Sequence, residues 1–296
     1  MVKHNQSQAL WLALGAVACW STVASAFKLT LAHFSVWQLL LVAATTSVVF
    51  LWLLLAWQGK ANQVWRNLVD RPKFYLLSAL LNPVLYYWVL LGAYDRLPGQ
   101  QAQAINYTWA ITLSLLAVPF LGQTLARRDL LAVLLGYLGA LVIATQGDLL
   151  GLNFTDGWGV LMALASTLVW SAYWIFNVRH HGDPLIGLTL NFSLALPVIL
   201  VLTWRFSDFQ MQAWQGWFGA IYLGLFEMGV AFVLWLMAMQ RAESTARIAN
   251  LIFLSSFVSL FLLYFLVGEP IALATPVGLL LILLGLGLQR RQGKRA

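Results

Sequence analysis

Runs of about twenty apolar residues, separated by short polar intervals, recur along this chain and leave few options for its fold. Ten such runs lie at 9–28, 35–57, 74–94, 99–121, 129–147, 157–178, 185–204, 216–239, 246–267 and 271–289. Each approaches the ~20 residues that a helix needs to cross a hydrocarbon layer ~30 Å thick. Only 17 basic and 10 acidic residues occur in 296, or 9% charged, and the mean hydropathy is +0.80. A soluble domain is about 25% charged, so a water-facing surface cannot be drawn from this set and lipid is the expected medium. In lipid the backbone must satisfy itself within a segment, which selects helices; a membrane barrel would show short alternating strands instead. The expected fold is an all-α polytopic membrane protein. The intervals, including QGKANQVWRNLVDRPK at 58–73, are read as loops with no room for a soluble domain.

Charge placement orients the chain. With the N-terminus in the cytoplasm, 14 of the 17 Lys and Arg residues fall in cytoplasmic segments, and only Lys28, Arg96 and Arg205 fall outside. That asymmetry predicts both termini inside and an even number of spans, in a bacterial inner membrane. It also explains the net charge of +7 without nucleic acid as a partner. The single cysteine, Cys19, excludes an internal disulfide.

The chain also repeats itself. LALGAVACWS (12–21) aligns with MALASTLVWS (162–171), an offset of 150. Asn106 then matches Asn250, Gly122 matches Gly268, Gln123 matches Glu269, and Gly139 matches Gly285. These matches, in order, predict two five-helix repeats, 1–150 and 151–296. Five is odd, so the second copy enters the membrane from the opposite side, an inverted repeat of the kind found in secondary transporters.

On these residues the chain resembles the drug/metabolite transporter superfamily of the EamA type. The resemblance covers the full length. Its carriers are the two halves, Trp-Ser in the first helix of each, Asn-Tyr-x-Trp at Asn106–Trp109, Gly-Gln at 122–123 and Gly-Glu-Pro at 268–270. INYTWAI and LVWSAYW are most similar to the aromatic amino-acid exporters within it. The chain departs from the commoner Asn-Tyr-x-Trp-Pro by having Ala110, which removes the proline that would kink helix 4. The resemblance implies ten helices around a central cavity that opens alternately to either side, and export of small organic metabolites such as aromatic or apolar amino acids. A multidrug or nucleotide-sugar-like carrier and a channel-like facilitator are the alternatives. The expected partners are a small-molecule substrate, membrane lipid and a coupled proton, with no cofactor, in a monomer or homodimer.

Glu227 is the first candidate site residue. It stands without another charge between Gly216 and Met239, where an ionised acid costs ~2.5–3.5 kcal/mol to insert. It is expected to carry a coupled proton or to pair with a substrate ammonium; the bland alternative is a brace to a polar neighbour. Aligning LGAYDR (91–96) with LMAMQR (236–241) sets Asn82 opposite Glu227. Asn82 precedes Pro83 and lies four residues before Tyr86, which would share its helix face. Asn106 and Trp109 are three apart in helix 4, and Trp170, Tyr173 and Asn177 repeat that spacing in helix 6. Convergent aromatic and amide groups in an apolar wall suit a small organic ligand. Against this, Asn82 and Tyr86 could instead supply an interhelical hydrogen bond and an aromatic packing face, and a single tryptophan is usually an interfacial anchor or a packing residue. The predicted cavity lining is Glu227, Asn82, Tyr86, Asn106, Trp109, Trp170, Tyr173 and Asn250. Ser21, Thr22 and Ser25 in helix 1 and Ser255, Ser256 and Ser259 in helix 9 are read as packing residues.

Enzymatic chemistry finds no support. His4, His33, His180 and His181 all lie in loops, so no Ser–His pair forms at membrane depth. Glu227 has no second intramembrane acid, no metal-ligand spacing occurs, and no Walker A pattern occurs.

Overall fold

A computed structural model of the chain describes residues 5–122, 127–151, 154–178, 182–211, 213–241 and 251–290. Among these residues the secondary structure is helical throughout, with no strand. Seven helical stretches are long and apolar enough to span: Gln6–Leu31, Val36–Trp57, Pro72–Arg96, Gly99–Leu121, Gly157–Asn177, Pro184–Phe206 and Trp214–Met239. Three apolar helices are shorter: Val133–Ala144, Leu254–Val267 and Ala274–Gly285. Large apolar side chains such as Leu53, Leu134, Phe218 and Phe265 are exposed, which water would penalise and acyl chains do not.

In chain order the helices are α1 (Gln6–Leu31), α2 (Val36–Trp57), α3 (Ala61–Asp70), α4 (Pro72–Ala79), α5 (Tyr86–Arg96), α6 (Gly99–Asn106) and α7 (Trp109–Leu121). They continue with α8 (Arg127–Ala144), α9 (Gly157–Val178), α10 (Pro184–Phe206), α11 (Trp214–Tyr222), α12 (Phe232–Arg241), α13 (Ile252–Leu262) and α14 (Ala274–Arg290). Two features depart from the sequence reading. The interval 58–73 contains α3, a short helix with Val64 buried, instead of a loop throughout. The fourth spanning stretch, Gly99–Leu121, is divided at Tyr107–Thr108 into α6 and α7 even though residue 110 is alanine. There, Thr108 N–H donates to the Ile105 carbonyl at 3.0 Å and Ile111 N–H to the Thr108 carbonyl at 2.9 Å. Those i→i+3 bonds tighten the turn, and the Thr108 hydroxyl donates to the Ile105 carbonyl at 2.8 Å. Tyr107 and Thr108 keep helical backbone, so the turn tightens here without a proline.

The chain divides into two compact units. One comprises Met1–Val84 and His181–Gly268, the other Leu85–His180 and Glu269–Ala296. Neither is a half of the sequence; each takes helices from both halves. In the first unit, α1 packs on α12, α13 and the 223–231 segment, and α2 packs on α10 and the same segment. Ala9 and Ala13 meet Ala238 there. A side chain on Gly224 would lie 2.3 Å from the Ala43 carbonyl oxygen, so only glycine allows that approach. In the second unit, α8 crosses α14 glycine to glycine: a Cβ on Gly139 would lie 2.4 Å from the Gly278 carbonyl oxygen.

Local structure repeats at the offsets found in the sequence. Exposure along residues 11–20 recurs position for position along 161–170. From 74/219 to 86/231 it agrees everywhere except at 77/222 and 80/225. Gly122 and Gly268 both end their helices in the left-handed region, with φ of 68° and 79°, the conformation that glycine takes without steric cost.

Candidate functional site

In the first unit the two aligned polar residues, Asn82 and Glu227, each sit where the α-helix is interrupted. Proline disfavours helical backbone at the residue before it, and Asn82 is extended, with φ −144° and ψ 117°. The helix that starts at Pro72 therefore breaks over Leu80–Leu85. This overturns the shared face expected for Asn82 and Tyr86, since the i, i+4 relation needs an unbroken helix. Asn82 is fully buried, and neither its amide nitrogen nor its oxygen has a hydrogen-bond partner among the described residues. The same holds for the buried hydroxyls of Ser25, Ser78 and Ser259. Each unmet group costs ~1–3 kcal/mol.

Glu227 lies in a segment, Leu223–Ala231, where the helix widens to i→i+5 bonding while staying continuous. Such widened turns concentrate at functional positions. The residue is 8% exposed. Around the segment, the Thr22 and Tyr222 hydroxyls share a 2.7 Å hydrogen bond, and Ser47 Oγ donates to the Met228 carbonyl at 2.9 Å. Trp20 of α1 meets Phe232 edge-on at 5.9 Å and Trp235 at 5.3 Å between centroids.

The second unit gathers the predicted aromatic residues. Trp170 of α9 is the hub: Tyr86 lies 4.6 Å from it, Tyr173 stacks at 5.6 Å, and Trp174 stands edge-on at 6.1 Å. Tyr87 extends the cluster from Tyr86 at 5.0 Å. Trp174 and Tyr87 were not in the expected lining. Their i+4 and i+1 positions from Trp170 and Tyr86 were the available signal.

Asn106 and Trp109 flank a tightened turn whose residues keep helical backbone, Tyr107 at φ −61°, ψ −13° and Thr108 at φ −70°, ψ −3°. The turn at 107–108 separates them, and each is fastened to α9. Asn106 Nδ2 donates to Ser166 Oγ at 2.8 Å, and Ser171 Oγ donates to the Trp109 carbonyl at 3.0 Å. Thr112 bonds Thr167 at 3.0 Å and Tyr137 at 2.7 Å, continuing the seam. Asn106 thus makes an interhelical bond, whereas Asn82, for which such a bond is the alternative reading, makes none among the described residues. Asn177 Nδ2 donates to the Tyr173 carbonyl at 2.8 Å within α9. Asn250 lies outside the described residues.

The Gly-Glu-Pro motif has a structural task that spacing did not reveal. Glu269 accepts from Gly99 N–H at 2.8 Å and Gln100 N–H at 3.3 Å, and Gln100 Nε2 donates to the Pro270 carbonyl at 3.0 Å. The carboxylate meets the positive N-terminal end of α6, whose other end is Asn106.

Among the described residues no cluster of three or more His, Cys, Asp or Glu side chains can hold a metal. The arrangement offers an apolar and aromatic wall in one unit, and one acid with several buried, unmet polar groups in the other.

The profile of the EamA-like transporter family matches residues 7–145 and again residues 157–289. The aromatic amino acid exporter YddG of Ancylobacter novellus is 25% identical over 246 residues, covering 81% of this chain and 82% of that protein. The uncharacterized transporter YvbV of Bacillus subtilis is 22% identical over 224 residues, covering 74% and 72%. One solved crystal structure has the same fold, with a TM-score of 0.67 over 98% of this chain and 99% of that one, at 19% identity.

Proposed function

The chain belongs to the EamA-like transporter family, and from that premise we propose that it is a secondary active exporter of aromatic or other apolar amino acids. In this reading ten spans form two inverted five-helix repeats around a central cavity, with both termini in the cytoplasm of a bacterial cell. The cavity opens alternately to either side of the inner membrane. Tyr86, Trp170 and Tyr173 stack on the substrate's apolar side chain. Asn82 supplies a neutral hydrogen-bonding group, and Glu227 carries the coupled proton or receives the substrate ammonium.

The observation that carries the proposal is the pairing of Asn82 with Glu227. Aligned positions hold buried polar side chains, and both lie in interrupted helices. Packing alone does not call for that coincidence, whereas a path for polar solute does. The relative named as an aromatic amino acid exporter supports the substrate class.

The test is flux in proteoliposomes. Phenylalanine, tyrosine and tryptophan should exchange above empty vesicles, and an imposed proton gradient should drive their accumulation. Transport of bulky organic cations or nucleotide sugars in their place would reassign the substrate. Equilibration without accumulation would make the protein a facilitator.

A further inference from the structure

The segment that follows α2 has the chemistry of a lipid-headgroup contact. α3 runs from Ala61 to Asp70, and on its wheel Val64, Leu68, Trp65 and Val69 form one apolar arc, with Gln63, Arg66 and Asp70 opposite. The protein covers only part of that arc. Val64 is buried and α3 packs on α10, yet Trp65 is 72% and Val69 58% exposed. Trp57, at the end of α2, is exposed as well. Two large apolar side chains one turn apart are thus presented outward beside a row of cations. Lys60, Arg66, Arg71 and Lys73 stand in the 58–73 segment against a single acid, Asp70. Lys60 is engaged by Asp183 at 2.7 Å. Among the described residues no carboxylate pairs with Arg66 or Lys73.

We infer that α3 is an interfacial foot that seats this end of the protein on anionic phospholipid. Trp65 and Val69 enter the acyl boundary, and Arg66 and Lys73 take the headgroup phosphates. A helix with an apolar arc below and cations above lies in the interface plane. Lys and Arg near an anionic surface are attracted within a Debye length of it, and tryptophan favours the same depth. Neither substrate nor transport enters this inference, so it stands apart from the functional reading.

Two measurements on the full-length protein test it. The first is thermal unfolding in nanodiscs of phosphatidylcholine alone and of phosphatidylcholine with phosphatidylglycerol. The wild type should gain thermal stability with the anionic lipid. The Arg66→Glu/Lys73→Glu variant should lose that gain while unfolding at an unchanged temperature in phosphatidylcholine. An equal gain in the variant would overturn the proposal. The second uses nitroxide labels in a Cys19→Ala background. A label at Val69→Cys should relax with dissolved oxygen and resist a water-soluble nickel complex, while one at Gln63→Cys, on the opposite face of α3, should do the reverse. Equal access of the nickel complex to both positions would also overturn it.

Discussion

Two helices interrupt themselves at matched positions by different means. The span beginning at Pro72 breaks: Pro83 has no N–H, so the carbonyl four residues before it loses its helical donor, and Asn82 is forced into extended backbone. The span beginning at Trp214 widens over Leu223–Ala231 and stays continuous. The break seats a neutral amide with both polar ends unmet; the widening seats an acid. The difference teaches which device suits which group. A carboxylate is the costlier group to keep in a bilayer, and it sits where the backbone continues to bond to itself. An amide tolerates the site where the backbone has been opened. The amide cannot change charge and the acid can, so one copy of the repeat holds a switchable group and the other a fixed one.

Neutralising the acid should make the largest difference. Glu227→Gln keeps the shape and removes the charge. Hydrogen bonds to charged groups contribute ~1.5–3 kcal/mol, which corresponds to roughly 10–100-fold in rate. Transport in proteoliposomes should fall by that order and lose its dependence on pH. Unchanged flux with an unchanged pH profile would remove Glu227 from the mechanism and leave the two interruptions with no functional contrast.

The amide should respond with opposite signs in two assays. Asn82→Leu replaces two unmet polar atoms by apolar ones of similar volume, so the protein should become more stable by ~1–3 kcal/mol. Flux should fall at the same time. A stabilised variant with normal transport would make Asn82 a structural remnant. A destabilised one would mean that its polar atoms are satisfied in the membrane.

Much of this could be read from residues alone, for reasons that differ by region. Seven of the ten apolar runs correspond to helices long enough to span, because a bilayer imposes length and apolarity on every crossing, whatever the packing. The offset of 145 between Asn82 and Glu227 was visible because the LGAYDR and LMAMQR ends anchor the alignment. What sequence did not give was backbone detail that depends on hydrogen bonding. The turn at Tyr107–Thr108 tightens the Gly99–Leu121 stretch without a proline, and α3 forms within an interval whose polar composition resembles a loop. The task of Glu269 was hidden because its partners, Gly99 and Gln100, lie about 170 residues away. The face assigned to Asn82/Tyr86 failed because it assumed a helix that continues where this one breaks.

A smaller effect is expected from the packing that supports each interruption. At the offset that matches Asn82 to Glu227, Gly224 corresponds to Ala79, and both are buried. Gly224→Ala would push a methyl group to 2.3 Å from the Ala43 carbonyl oxygen, which is backbone and cannot rotate away. Overpacking of this kind costs ~1–3 kcal/mol. The reverse exchange, Ala79→Gly, should cost only ~0.5–1 kcal/mol through helix entropy. Thermal unfolding of the two variants ranks them; equal losses would mean that the widened segment is no more tightly held than the broken one.

The smallest effect separates the far ends of the same two helices. Arg241 closes the widened one, and its carbonyl accepts from Asn5 N–H at 2.9 Å, while Asn5 Oδ1 caps α1 by accepting from Gln8 N–H at 3.0 Å. Arg96 closes the broken one and pairs with Asp156 at 3.4 Å, while Asp156 Oδ1 accepts from Gly159 N–H at 2.8 Å at the start of α9. The two corners have the same design, but only the second can titrate. The Gly159 N–H, aided by the Arg96 guanidinium, holds the Asp156 carboxyl below its ordinary value of 3.8. A carboxyl whose folded value is depressed stabilises the fold above its unfolded value and ceases to do so as pH falls through the folded one. The contribution is therefore intact at neutral pH and fades below about pH 4. Asp156→Asn should recreate the Asn5 corner: its unfolding temperature should lie slightly below wild type at pH 7 and converge with it toward pH 3. A gap that stays constant over that range would mean that the corner is held by the cap geometry alone and that charge has no part in it.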